Sequence, residues 1–247
     1  MLCVELNGNV LVLRLNVPNT LNALTLEMLE SLITSCQDAE SDPAVGAVVL
    51  AGAGRAFCSG WNRRIVPDSP AETLAIDARG GAAVDTLMGL SKPVVAALHG
   101  AVVGGGVMLA AACDLRLAAD DTYFWLPEVA LGTPVLWRGL KPLAAEIGLP
   151  AARHLALTAD RKDVQWALRV GLVQERVVED RPVEDAAVDV AQRLAAFPGH
   201  GVSLAKQDLG DMRERIVRGG HGFSAKDVFV SLSAGEFVDD TRGESRD

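Results

Sequence analysis

Between residues 47 and 51 the chain reads Ala-Val-Val-Leu-Ala, with no polar position to mark an outer face. An unbroken run of that kind predicts a strand covered on both sides, hence a parallel sheet with helices over it. A second such run spans Pro93–Leu98 and a third spans Leu115–Ala118, while Val10–Leu15 alternates loosely, as a half-buried strand does. Thr25 is placed to cap a helix carrying Leu26, Leu29, Ile33 and Cys36 on one face, and Asp42-Pro43 ends it. Residues 52–60 and 100–106 read as glycine-rich loops, and Val107–Cys113 as a short buried helix. From Pro142 onward the helical period dominates, at Ala151–Leu157, Asp163–Val170, Glu184–Ala196 and Ser203–Val217, with no further sheet-forming block. The pattern predicts an α/β fold with right-handed crossovers and a ligand site where loops leave the strands.

A length of 247 residues fits one large domain, and a hydrophobic fraction of 49% is ample for a core. The formal charge of -9 argues against nucleic acid as the main partner. The four cysteines, Cys3, Cys36, Cys58 and Cys113, form no C-x-x-C pair, and the four histidines show no ligand spacing. We therefore expect no metal site and a reducing, cytoplasmic setting. No signal peptide is evident. Residues 94–112 are long and apolar enough to suggest a membrane span, but His99 and the glycines favour a strand, turn and helix.

Gly104-Gly105-Gly106 opens the short buried helix and so leaves unpaired backbone N–H groups near its N-terminus. These suit an anion or a developing oxyanion, or else merely relieve crowding at a tight junction. The Ser59-Gly60 turn offers a second N–H of the same sort. No dinucleotide fingerprint, phosphate-cradling nucleotide loop or nucleophile elbow is present at these junctions. Glu128, within Phe-Trp-Leu-Pro-Glu-Val-Ala-Leu-Gly, is flanked by apolar residues. Its carboxyl is expected to be desolvated and suited to proton transfer, unless it pairs with Arg138. His99 reads as a hydrogen-bonded core residue, Asp114 as a tie within the sheet, and Arg63 and Arg64 as phosphate contacts or solvated surface.

Four stretches resemble the crotonase superfamily, the enoyl-CoA hydratase/isomerase family: Leu21–Leu24; Ala47–Gly60; Ser91–Gly106 continuing into Cys-Asp-Leu-Arg-Leu-Ala; and Pro127-Glu128-Val129 with Leu131-Gly132. The resemblance implies a β-β-α spiral core over residues 1–195, followed by a helical trimerisation region and acidic tail over 196–247. It implies an acyl-CoA thioester as ligand, no cofactor apart from the coenzyme A of the substrate, and a homotrimer or hexamer. By the same resemblance the backbone N–H groups of Ser59 and Gly105 would grip the thioester oxygen and stabilise an enolate, with Glu128 as acid and base. Gly60, Trp61, Arg63, Gly104, Met108 and Trp137 would line the substrate site.

The chain also departs from the family. Hydratases of this kind carry a glutamate two positions after the triple glycine, where this chain has Met108. Hydration uses one group to activate water and another to deliver a proton, whereas a double-bond shift needs a single base. The substitution therefore favours isomerisation over hydration. Decarboxylation, thioester hydrolysis, or acyl-CoA binding without turnover remain as alternatives. Trp61 and the apolar stretch Thr133–Gly139 are bulkier than the family pattern, and the tail Asp239–Asp247 is acidic where a basic ending is expected.

Overall fold

The computed structural model describes residues 1–178 and 181–217. The main sheet is built from β1 (Leu2–Asn7), β2 (Val10–Leu15), β3 (Ala47–Gly52), β4 (Val94–Leu98), β6 (Leu115–Ala119) and β9 (Glu175–Val177), side by side in that order. β1 runs antiparallel to β2, and every other neighbour pair is parallel. A second sheet joins β5 (Ala101–Val103), β7 (Tyr123–Trp125) and β8 (Lys162–Asp163).

The uninterrupted apolar runs have the cause the sequence suggests. Val48 and Leu50 of β3, with Val94, Ala96 and Leu98 of β4, enter one core. That core is shared with α1 (Leu26–Ser41), α2 (Pro70–Gly89), α3 (Gly105–Ala112) and α4 (Leu140–Thr158). Their alternates Ala47, Val49, Ala51, Val95 and Ala97 enter a second core, under Val183, Ala187, Val190 and Ala191 of α6 (Val183–Ala195). Each strand is thus buried on both faces, and no polar position can be spared.

Thr25 caps α1 as its position implies, its Oγ accepting from Met28 N–H at 3.2 Å. Leu26, however, faces solvent, and the buried stripe runs through Met28, Leu29, Leu32, Ile33, Cys36 and Ala39. The stretch 100–106 is not all loop, because β5 lies inside it. The helical half likewise contributes β9 to the main sheet. Both strands are three residues long, and their order comes from backbone pairing with β7 and β6 rather than from a side-chain pattern. β1 carries no clear period, since Val4 and Leu6 are exposed, and the buried face of α2 includes Thr73, Gly80 and Gly81, which do not read as apolar positions in the sequence.

α5 (Val164–Val170) and α7 (Gly199–Val217) complete the described helices. Asp114 is the sheet tie its setting suggested, its carboxylate accepting Val94 N–H at 2.7 Å. The same carboxylate receives Lys206 of α7 at 2.7 Å, and Arg213 of α7 pairs with Glu146 of α4. Arg116, almost wholly buried, holds the other side of Glu146 at 2.9 Å. Among the described residues no helix is long and apolar enough to cross a membrane. The acidic tail Asp239–Asp247 lies outside the described residues.

Candidate active site

The loop leaving β3 is zipped to strand β5 by backbone. Cys58 N–H donates to Ala101 O at 3.0 Å, and Val103 N–H donates to Cys58 O at 2.9 Å. This pairing brings residues 58–61 beside the N-terminus of α3. Contact there is so close that a β-carbon on Gly60 would stand 2.9 Å from Val103 O, and one on Gly106 would stand 2.8 Å from Cys58 O. Gly60 also has φ of 86°, so glycine is required on both counts.

A cavity of about 460 Å³ opens at this junction. Ser59, Gly60, Trp61, Arg63, Gly104, Gly105, Met108, Glu128 and Trp137 all line it, so every site residue expected from the sequence is brought to one place. The sequence did not point to the wall formed by Ile65, Val66 and Pro67 with Thr73 and Ile76 of α2. No periodicity marks that loop, and the α2 residues beside it reach the cavity where α2 packs on α3.

Glu128 opens a single 3-10 turn, Glu128–Leu131, closed by Gly132 at φ 69°. Its Oε2 is buried and has no hydrogen-bond partner, the only such side-chain oxygen or nitrogen among the described residues. Burial pushes the carboxyl up to about 7, opposed only by its own backbone N–H. The pairing with Arg138 does not form; Arg138 reaches Asp85 instead, at 3.0 Å. Met108 is buried in α3 and contributes a thioether, not a carboxyl, to the same cavity. The other carboxyl on the lining, Asp68, is exposed.

The backbone donors require one correction. Ser59 N–H is already committed to Leu21 O at 2.9 Å, so it is not open to a ligand. Its hydroxyl is committed as well, to Thr20 O at 2.9 Å. Two residues on, Trp61 forms a parallel bridge with Leu24. Leu24 N–H donates to Gly60 O at 2.7 Å and Asn62 N–H donates to Leu24 O at 2.9 Å. That bridge uses the groups on either side of Trp61 N–H and leaves Trp61 N–H without a protein acceptor among the described residues. Gly105 N–H, in the first turn of α3, is likewise without one. The alternation of a β-bridge, invisible in the sequence, moves the available donor from Ser59 to Trp61.

Trp137 closes one wall. Its indole lies between two glycines: a β-carbon on Gly105 would stand 2.1 Å from Cζ3, and one on Gly80 would stand 2.1 Å from Cε2. Trp61 meets it edge to face, with centroids 6.3 Å apart. Trp137 and Arg138 both have positive φ, and Asp77 accepts Trp137 N–H at 2.8 Å. His99 is outside the cavity and is hydrogen-bonded, its Nε2 3.0 Å from Gly54 O, but it is only half-buried and does not belong to the core.

The fold is α/β, and its cavity sets one desolvated carboxyl beside two backbone N–H groups without a protein acceptor among the described residues. The chain belongs to the enoyl-CoA hydratase/isomerase family of the crotonase superfamily, whose sequence profile it matches over residues 5–216. It is 33% identical over 208 residues to a short-chain-enoyl-CoA hydratase of Clostridium acetobutylicum, covering 83% of this chain and 79% of that protein. An enoyl-CoA hydratase/isomerase from Mycobacterium paratuberculosis superposes with a TM-score of 0.85 at 28% identity, over 94% of this chain and 93% of the other. A monofunctional enoyl CoA isomerase from M. smegmatis superposes with a TM-score of 0.73 at 31% identity, over 86% and 93%. The protein is thus an acyl-CoA-binding enzyme of this family. Relatives on both the hydratase and the isomerase side are present, so family membership alone does not select the reaction.

Proposed function

We propose that the protein shifts a carbon–carbon double bond in an enoyl-CoA thioester, using Glu128 as its sole acid and base. The observation that carries this reading is the buried, unpartnered Glu128 Oε2, in a cavity where Met108 stands instead of a second carboxyl. The thioester oxygen would accept hydrogen bonds from Trp61 N–H and Gly105 N–H. As charge moves from the adjacent carbon onto that oxygen, the two donors bind the enolate more strongly than the ground state. Glu128 takes a proton from one carbon of the acyl group and returns it to another, so the carboxyl ends as it began. A carboxyl that titrates near 7 is matched to both halves of that cycle. Coenzyme A enters and leaves as part of the substrate, and Arg63 at the cavity edge is suited to its phosphates.

Hydration would need a second group to activate or orient water. The thioether of Met108 cannot serve, and the apolar walls of Trp61, Ile76, Leu131, Val135 and Trp137 offer no substitute. Side-by-side assay of 3-enoyl-CoA isomerisation and 2-enoyl-CoA hydration by the wild type tests this. Isomerisation should dominate; faster hydration, or no turnover of either substrate despite acyl-CoA binding, would overturn it.

A further inference from the structure

We propose that Trp137 sets the acyl-chain selectivity of the cavity, closing it toward α2 so that short acyl groups are preferred; the inference rests on the acyl-CoA reading above. The indole is wedged between α3 and α2 at two glycines. Its six-membered ring lies where a side chain of Gly105 would be, and its five-membered ring where a side chain of Gly80 would be. Gly105 carries one of the two proposed oxyanion donors, so the ring stands directly beside the reacting end of the thioester.

Ile76 lines the cavity one helical turn before Gly80, so space vacated by the indole would be continuous with the cavity rather than a sealed void. The ring cannot simply swing aside. It is 4% exposed, Trp61 packs against it in a T-shaped pair, its backbone N–H is held by Asp77 of α2, and the next residue is tied to α2 by the Arg138–Asp85 side-chain pair. Those fastenings are made by backbone N–H and by Arg138, so they survive truncation of the indole. Each methylene an acyl chain newly buries is worth about fourfold in affinity, and that gain stops where the wall stands.

The test is calorimetric binding of saturated straight-chain acyl-CoA thioesters, butanoyl to dodecanoyl, to wild type, Trp137→Ala and Gly80→Ala, with folding checked by circular dichroism. Saturated chains carry no double bond to shift, so binding is read without turnover. For Trp137→Ala the preference should move to longer chains, with the dodecanoyl-to-butanoyl affinity ratio rising about tenfold or more. For Gly80→Ala the new β-carbon overlaps the indole, so the ring should shift away from α2 into the cavity and move the preference to shorter chains. Folded variants whose chain-length profiles superimpose on that of the wild type would overturn the role of Trp137. A wild type that binds none of the thioesters would overturn the acyl-CoA reading and this inference with it.

Discussion

The carboxylate of Glu128 lies directly over Gly104: a β-carbon on Gly104 would stand 2.9 Å from Glu128 Oε1. Gly104 has φ of 52° and ψ of -119°, a conformation open to glycine, and it immediately precedes the helix whose first N–H is the proposed oxyanion donor. One residue therefore makes room for the Glu128 carboxyl and precedes the helix. The triple glycine thus accommodates the carboxyl as well as carrying the proposed oxyanion donor.

Gly104→Ala should then fail twice over. The backbone strain costs about 1–3 kcal/mol, and the new methyl displaces the Glu128 carboxyl. We expect a lowered urea midpoint and at least a ~10-fold loss of isomerase kcat in the fraction that folds. A variant with wild-type kcat would show that the carboxyl does not need its place over Gly104.

The raised carboxyl makes stability depend on pH. The folded state holds the Glu128 proton up to about 7 while the unfolded chain releases it near 4.5. Between those values the unfolded state binds fewer protons, so this residue's contribution is fully present below 4.5 and is lost as pH rises through 7. The loss is of order 3 kcal/mol. Glu128→Gln lacks that titration. Its stability relative to wild type, read from urea melts, should rise by an amount of that order between pH 4.5 and pH 8. A difference flat across that range would mean that Glu128 is not desolvated.

Met108→Glu should restore a second carboxyl to the cavity. Since Met108 is buried, the variant should lose stability, by about 1–3 kcal/mol. Hydration of 2-enoyl-CoA should nonetheless rise at least ~10-fold over wild type. A folded variant with no gain would mean that the apolar walls, rather than the missing carboxyl, keep water from the reaction.

The strands buried on two faces were legible because burial leaves no room for polar residues, as in Ala47–Ala51. Glu128 was legible because a carboxyl amid Trp, Leu, Pro and Val is conspicuous. β9 was not, since an edge strand of Glu-Arg-Val is ordered by pairing with β6 and carries no pattern of its own. The donor at Trp61 was hidden for a related reason. Which of two nearby N–H groups is free depends on the bonds to Leu21 and Leu24, and those bonds are made by backbone, which every residue shares. Gly80 carries no sequence signal of its own, because its role is to leave room for Trp137, which lies 57 positions away.

The most direct measurement is isomerisation of 3-enoyl-CoA by wild type and Glu128→Gln, with acyl-CoA affinity determined for both. The wild type should turn the substrate over, and the Gln variant should bind comparably while losing roughly 10²–10⁴-fold in kcat. Equal turnover by the two proteins would contradict the assignment of Glu128 as the group that carries the proton.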